Sequence, residues 1–156
     1  NDAMHQGAAA RHLARSAQEL ALIMEDALMA GASTANEIMV PNPVCAELWH
    51  PLSDIRRTML LNAFSFLPYQ NASGDWRLVS DCHLVQFLRD TGGNRDDRLL
   101  LTFEEAIEDG LKTTVPSMFK LTHQITAIAA RITEEPCLVM TNDGRLAGII
   151  TAFDLL

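Results

Sequence analysis

Cysteine is scarce in this chain. Cys45, Cys82 and Cys137 are odd in number, widely spaced and mostly set in apolar sequence, which excludes a disulfide framework and suits buried thiols in a reducing, cytoplasmic compartment. Basic charge is also short: 12 Lys and Arg stand against 20 Asp and Glu, for a formal net charge of -8. A field of that sign repels polyanions. The densest basic spots, Arg56-Arg57 and Arg95 to Arg98, are diluted by Asp54, Asp96 and Asp97, so no nucleic-acid partner is expected. No uninterrupted apolar run approaches the roughly 20 residues of a membrane span. The opening residues lack the charged-then-apolar pattern of a signal peptide, so the sequon Asn71-Ala72-Ser73 is expected to carry no glycan.

Catalytic signatures are missing too. The chain has no clustered carboxylates, no G-x-S-x-G turn and no phosphate loop, which argues against an enzyme and leaves no catalytic residue to name. Cys82-His83 does not make a thiolate and base, because chain neighbours at a helix start point in different directions and no acid orients the histidine. His50 and His123 each precede a helix and lack a second ligand at metal-like spacing, so no metal site is expected.

What is present is an ordinary globular composition, 48% hydrophobic and 21% charged, enough for one domain or two intimately packed halves. Residues 1 to 7 read as an unstructured start. Ala8 to Ala30 contains no Gly or Pro and predicts a helix, with Leu13, Ala17, Leu20, Ala21, Met24, Ala27 and Leu28 on one apolar stripe and Gly31 placed to end it. The stripe, with Met24 to Met29, is a packing face that requires a partner surface.

The chain also repeats itself. Pro43-Val44-Cys45-Ala46-Glu47-Leu48-Trp49-His50-Pro51-Leu52-Ser53-Asp54-Ile55 aligns with Pro116-Ser117-Met118-Phe119-Lys120-Leu121-Thr122-His123-Gln124-Ile125-Thr126-Ala127-Ile128 at an offset of 73. Proline, leucine, histidine and isoleucine recur in register. Leu78-Val79-Ser80-Asp81-Cys82-His83-Leu84-Val85 aligns with Ile149-Ile150-Thr151-Ala152-Phe153-Asp154-Leu155-Leu156 at an offset of 71. The two-residue change falls in loops, where Asn71 to Asp75 and Thr141 to Gly144 supply the Gly, Asn and Asp of tight turns.

Each copy predicts a short strand after the proline, a helix (about Ser53 to Asn62, and Thr126 to Glu134), a strand, a turn, a second strand and a helix start. The strands are Phe64 to Gln70 and Trp76 to Val79 in one copy, Cys137 to Met140 and Leu146 to Ile150 in the other. Thr91 to Asp97 reads as a polar linker, followed by a short helix from Phe103 to Asp109. A unit of about 55 residues has too little interior to stand alone, so the copies should share one apolar interface. The expected fold is α+β: two tandem β-α-β-β-α motifs in a pseudo-twofold pair, preceded by an N-terminal amphipathic helix.

These residues resemble a tandem pair of CBS domains, the regulatory modules named after cystathionine β-synthase. Asp143-Gly144-Arg145-Leu146-Ala147-Gly148-Ile149-Ile150-Thr151-Ala152-Phe153-Asp154-Leu155-Leu156 is similar to the family's most recognisable signature, and Glu37-Ile38-Met39-Val40-Pro41-Asn42-Pro43-Val44 to its usual opening phrase. The resemblance covers roughly Ala35 to Leu156. It divides the chain into an N-terminal helical segment (1-34), a first motif (35-90), a linker with a short helix (91-110) and a second motif (111-156) that reads as C-terminally trimmed. Ending just inside its last helix, the chain reads as a fragment of something larger.

The resemblance implies an adenosine-containing regulatory ligand, AMP, ADP, ATP or S-adenosylmethionine, in a cleft between the motifs, with no required cofactor. It assigns that ligand to Thr151, Asp154, Asn42, Ser65 and Phe66, and a second site to Ser80, His83 and Val115. Phe66 and Leu67 would sandwich an adenine, Asp154 would accept from the ribose hydroxyls, and Thr151 with the adjoining helix N–H groups would hold a phosphate or ribose edge. The first copy departs from the pattern: Arg77 stands in the place of Gly148 and His83 in that of Asp154. Thr151-x-x-Asp154 is equally a helix cap. The alternative function is a non-ligand-binding interaction module with empty sites, homodimeric through its CBS pairs or its N-terminal helix, or the regulatory fragment of a larger enzyme or transporter.

Overall fold

A computed structural model describes residues 14–24, 31, 33–89, 94–133 and 135–156. After helix α1 (residues 14–24) the order is α2 (Ala35–Ile38), β1 (Val40–Pro41), α3 (Leu52–Asn62), β2 (Phe66–Gln70), β3 (Trp76–Ser80), α4 (Asp81–Arg89), α5 (Arg95–Leu100), α6 (Phe103–Glu108), β4 (Met118–Lys120), α7 (Ile125–Ala129), β5 (Cys137–Met140), β6 (Leu146–Ile150) and a 3-10 turn, Ala152–Leu155. Both copies therefore close on an antiparallel hairpin, β2-β3 and β5-β6.

The hairpin turns follow from their residues. Asn71 Oδ1 accepts the N–H groups of Ser73 and Asp75 at 3.0 and 2.8 Å, and Thr141 Oγ1 accepts that of Arg145 at 3.0 Å. Gly74 and Gly144 take the left-handed backbone, φ 82° and 80°, that other residues resist. Apolar faces then make two cores. Leu52, Ile55 and Met59 of α3, Leu84, Phe87 and Leu88 of α4, and Leu67, Tyr69 and Val79 of the first hairpin form one; Ile128, Cys137, Val139 and Ile150 form the other.

The segment that leads into each copy is given to the opposite half. Before the first copy, α2 puts Ala35 and Ile38 in the second core, and β1 pairs with β6, Val40 opposite Ile149. Before the second copy, α6 puts Phe103 and Ala106 in the first core, while Leu78 and Thr114 exchange N–H···O=C bonds of 3.0 and 2.9 Å. The helix starts match as well. Ala35 and Asn36 donate to the carbonyls of His123 and Leu121, and Phe103 and Glu104 donate to those of His50 and Leu48, at 2.8 to 3.1 Å. Each helix follows a threonine whose N–H and hydroxyl both donate to a glutamate three residues on, Thr34 to Glu37 and Thr102 to Glu105. This reciprocal exchange makes the pair pseudo-twofold.

Several sequence expectations are corrected. No strand forms after the first proline: Val44 to Ala46 make a single ladder-like bond, Ala46 N–H to the Pro68 carbonyl at 2.8 Å. The facing residue Pro68 has no N–H to return, whereas Val139 does, and β4 pairs in parallel with β5 there. Arg95 to Asp97, read as linker, begin helix α5, because Asn94 accepts the Asp96 N–H and the acids sit in the first turn; Thr91 to Gly93 lie outside the described residues. Helix α7 stops at Ala129 because the N–H groups of Arg131 and Ile132 both turn back to the Ile128 carbonyl; Glu134 lies outside the described residues. Strand β2 starts at Phe66, since the Phe64 N–H still closes α3 on the Met59 carbonyl.

Of the predicted N-terminal helix, residues 14–24 are helical, and Ala8 to Leu13 and Glu25 to Ala30 lie outside the described residues. Every residue of α1 is exposed, Leu20, Leu22, Ile23 and Met24 by 58 to 64%. Its apolar side chains join neither core.

Candidate functional site

Where the halves meet, a cleft of about 400 Å³ opens between the C-terminal end of β6 and the N-terminal end of β2. The second half supplies Thr151 and Asp154, the first supplies Ser65 and Phe66, so four residues assigned to the first site line one cavity. Pro43, Val44, Phe64, Ile149 and Phe153 add apolar surface, and Glu135 adds a second carboxylate. Asn42, the fifth, is not in the lining. It ends β1 with φ 50°, its N–H on the Ala147 carbonyl at 3.0 Å, a turn role that asparagine tolerates.

The polar end of the cleft is internally bonded. The Thr151 N–H donates to Asp154 Oδ2 at 2.6 Å and the Thr151 hydroxyl donates to the same oxygen at 2.9 Å. One carboxylate oxygen thus holds the turn, and Oδ1 keeps acceptor capacity. The capping reading is realised, and it orients Asp154 in the cleft.

In the first half, Ser80 Oγ accepts the His83 N–H at 3.1 Å, and Ser80 is buried. His83 Nδ1 is buried and has no hydrogen-bond partner among the described residues. It lines a different depression, about 210 Å³, with Arg98, Asp109 and Lys112. Arg98 is fixed there by a bond from Nη1 to the Phe87 carbonyl and by lying over the Phe87 ring. Neither Ser80 nor Val115, which is 62% exposed, lines that depression. The second trio is not gathered in one cavity of the kind that gathers the first.

Gly148 and Arg77 explain part of this asymmetry. A Cβ on Gly148 would meet Met39 Sδ at 2.5 Å and the Val40 carbonyl oxygen at 2.9 Å, so only glycine lets β1 lie against β6. Arg77 occupies the corresponding place, and the matching contact shrinks to the single bridge Leu78–Thr114.

Residues singled out for other chemistry have local roles. His123 Nδ1 accepts the Lys120 N–H at 2.6 Å and its carbonyl holds α2. The Cys82 thiol is exposed, and its hydrogen bond to Asp81, then that residue's charge, hold its pKa above the ordinary value. Burial raises the Cys45 and Cys137 thiols, Cys45 further through Glu47. Glu135 escaped the sequence reading because it precedes a strand with no motif around it. The two T-x-x-E boxes escaped it as well, although their recurrence at Thr34 and Thr102 is visible in the sequence.

No protein-family model and no curated protein matches the sequence. Solved structures do match. A CBS domain-containing protein of unknown function from Bacillus anthracis superposes with a TM-score of 0.63 at 14% identity, covering 78% of this chain and 88% of that one. The chain has the fold of a tandem CBS pair. CbpB, solved in complex with c-di-AMP, matches at TM-score 0.60 and 16% identity over 88% of this chain and 89% of its own. CBSX2 of Arabidopsis thaliana, solved in complex with AMP, matches at 0.56 and 17% over 80% and 93%. At such identities the likeness is one of fold.

Proposed function

We propose that this CBS pair is a regulatory module without a catalytic centre of its own, and that it senses an adenosine-containing ligand in the cleft between its halves. The observation that carries the proposal is the meeting of Asp154 and Thr151 from one half with Ser65 and Phe66 from the other in one cavity. Asp154 Oδ1 accepts from a ribose hydroxyl, and Phe66 offers an apolar wall to the base. The adenosine-based ligands of CbpB and CBSX2 support the reading. Because the cleft is built from both halves, a ligand that prefers one packing of the halves shifts the population toward it. The unpaired thiols fit a cytoplasmic setting.

Titration calorimetry of the intact chain with adenosine, AMP, ADP, ATP and S-adenosylmethionine tests this; no heat with any of them sinks it. Asp154→Ala should weaken the ligand that binds several-fold, at a stability cost of about 1 kcal/mol for the lost cap, with the chain still folded by circular dichroism.

The exposed apolar side chains of α1 favour a second reading, an interaction module that closes a homodimer through this helix. Sedimentation then gives a nucleotide-insensitive dimer that dissociates when residues 1–30 are removed.

A further inference from the structure

Charge in the cleft bears on which adenosine compound it accepts, a question that rests on the proposal that such a compound binds there. Asp154 and Glu135 both line the cavity, and among the described residues no Lys, Arg or His does. A phosphate group is held best by a cation, which the described lining lacks. The Thr151 N–H and hydroxyl both end on the Asp154 carboxylate. Elsewhere the walls are apolar, with Phe64, Phe66 and Ile149 on them.

We infer that the cleft selects against phosphate: it takes an adenosyl ligand that is neutral or positively charged beyond the ribose, such as adenosine or the sulfonium compound S-adenosylmethionine, in preference to AMP and ATP. The ribose and base serve all four compounds alike, so the discrimination comes from what is attached at the 5′ carbon. Two like charges on the lining disfavour each added phosphate charge. A ligand cation is favoured by the same two carboxylates.

The test is calorimetry on the intact chain with adenosine, S-adenosylmethionine, AMP and ATP at low and high salt. Adenosine and S-adenosylmethionine should each bind at least tenfold tighter than AMP, and AMP tighter than ATP. Raising the salt should tighten AMP and weaken S-adenosylmethionine, with adenosine unmoved. If AMP or ATP equals or exceeds adenosine, the charge inference is overturned and the adenosine site stands. If none of the four binds, both fall. Glu135→Lys supplies the missing cation without touching the Thr151 and Asp154 cap: the ratio of AMP affinity to adenosine affinity should rise at least tenfold, and an unchanged ratio overturns the inference.

Discussion

Asp154 and His83 hold equivalent places in the two halves, yet the cavities beside them differ in size and in sign. The one beside Asp154 is about 400 Å³ and carries two carboxylates; the one beside His83 is about 210 Å³ and carries Arg98 and Lys112 with Asp109. Duplication reproduced the backbone frame down to paired helix starts and carbonyl acceptors. Side-chain identity at a few frame positions then set the two surfaces apart. A shared fold therefore does not license carrying a site from one half to the other.

The comparison breaks most severely if the exchanged segments are loosened. Phe103 is fully buried in the first core, edge-on to Tyr69 at 4.7 Å between ring centroids, although its helix leads into the second copy. Phe103→Ala should cost about 3–5 kcal/mol in urea denaturation. Both halves should lose structure in one transition, and two separate transitions would show that the exchange does not couple them.

A smaller effect separates Gly148 from Arg77. Gly148→Ala drives a methyl group into Met39 and the Val40 carbonyl and should destabilise by about 1–3 kcal/mol. The reciprocal Arg77→Gly should change stability by less than about 1 kcal/mol, a strand glycine's modest cost. Equal losses in thermal unfolding would mean that the β1–β6 contact is no tighter than its counterpart.

The least effect lies in what the halves share. Glu37 and Glu105 both have pKa values below the ordinary 4.5, chiefly through the backbone N–H groups of Ser33 and of Thr102, respectively. Carboxylates depressed by folding add stability that is present above the unfolded value and lost as pH falls through the folded one. Stability should therefore decline as pH drops below 4.5, and Glu37→Gln with Glu105→Gln should flatten that acid limb slightly. An acid limb unchanged in the double variant would remove the two boxes as its cause.

Much of this was legible in the residues. The repeat, the hairpin turns, the strands Cys137–Met140 and Leu146–Ile150 and the short helix after Thr102 follow from local pattern and turn chemistry. Thr151, Asp154, Ser65 and Phe66 were nameable through the resemblance, and they line one cavity. Pro68 was visible in the sequence too, but its effect on the strand after Pro43 depends on which residue faces it. Asp96 and Asp97 looked like a polar linker because two acids in a short segment suit a solvated loop and a helix first turn equally well.

By itself the sequence determined that the chain is built twice from one β/α plan, because periodicity, glycine turns and caps act over a few residues and need no distant partner. Only the tertiary structure decided that each leading segment crosses to the other half, that Gly148 is needed for a neighbouring strand, and that Glu135 joins Asp154 in a cleft without a described cation. Those outcomes depend on which distant atoms come within a few ångströms, and burial and Coulomb energies are set by that proximity rather than by order along the chain.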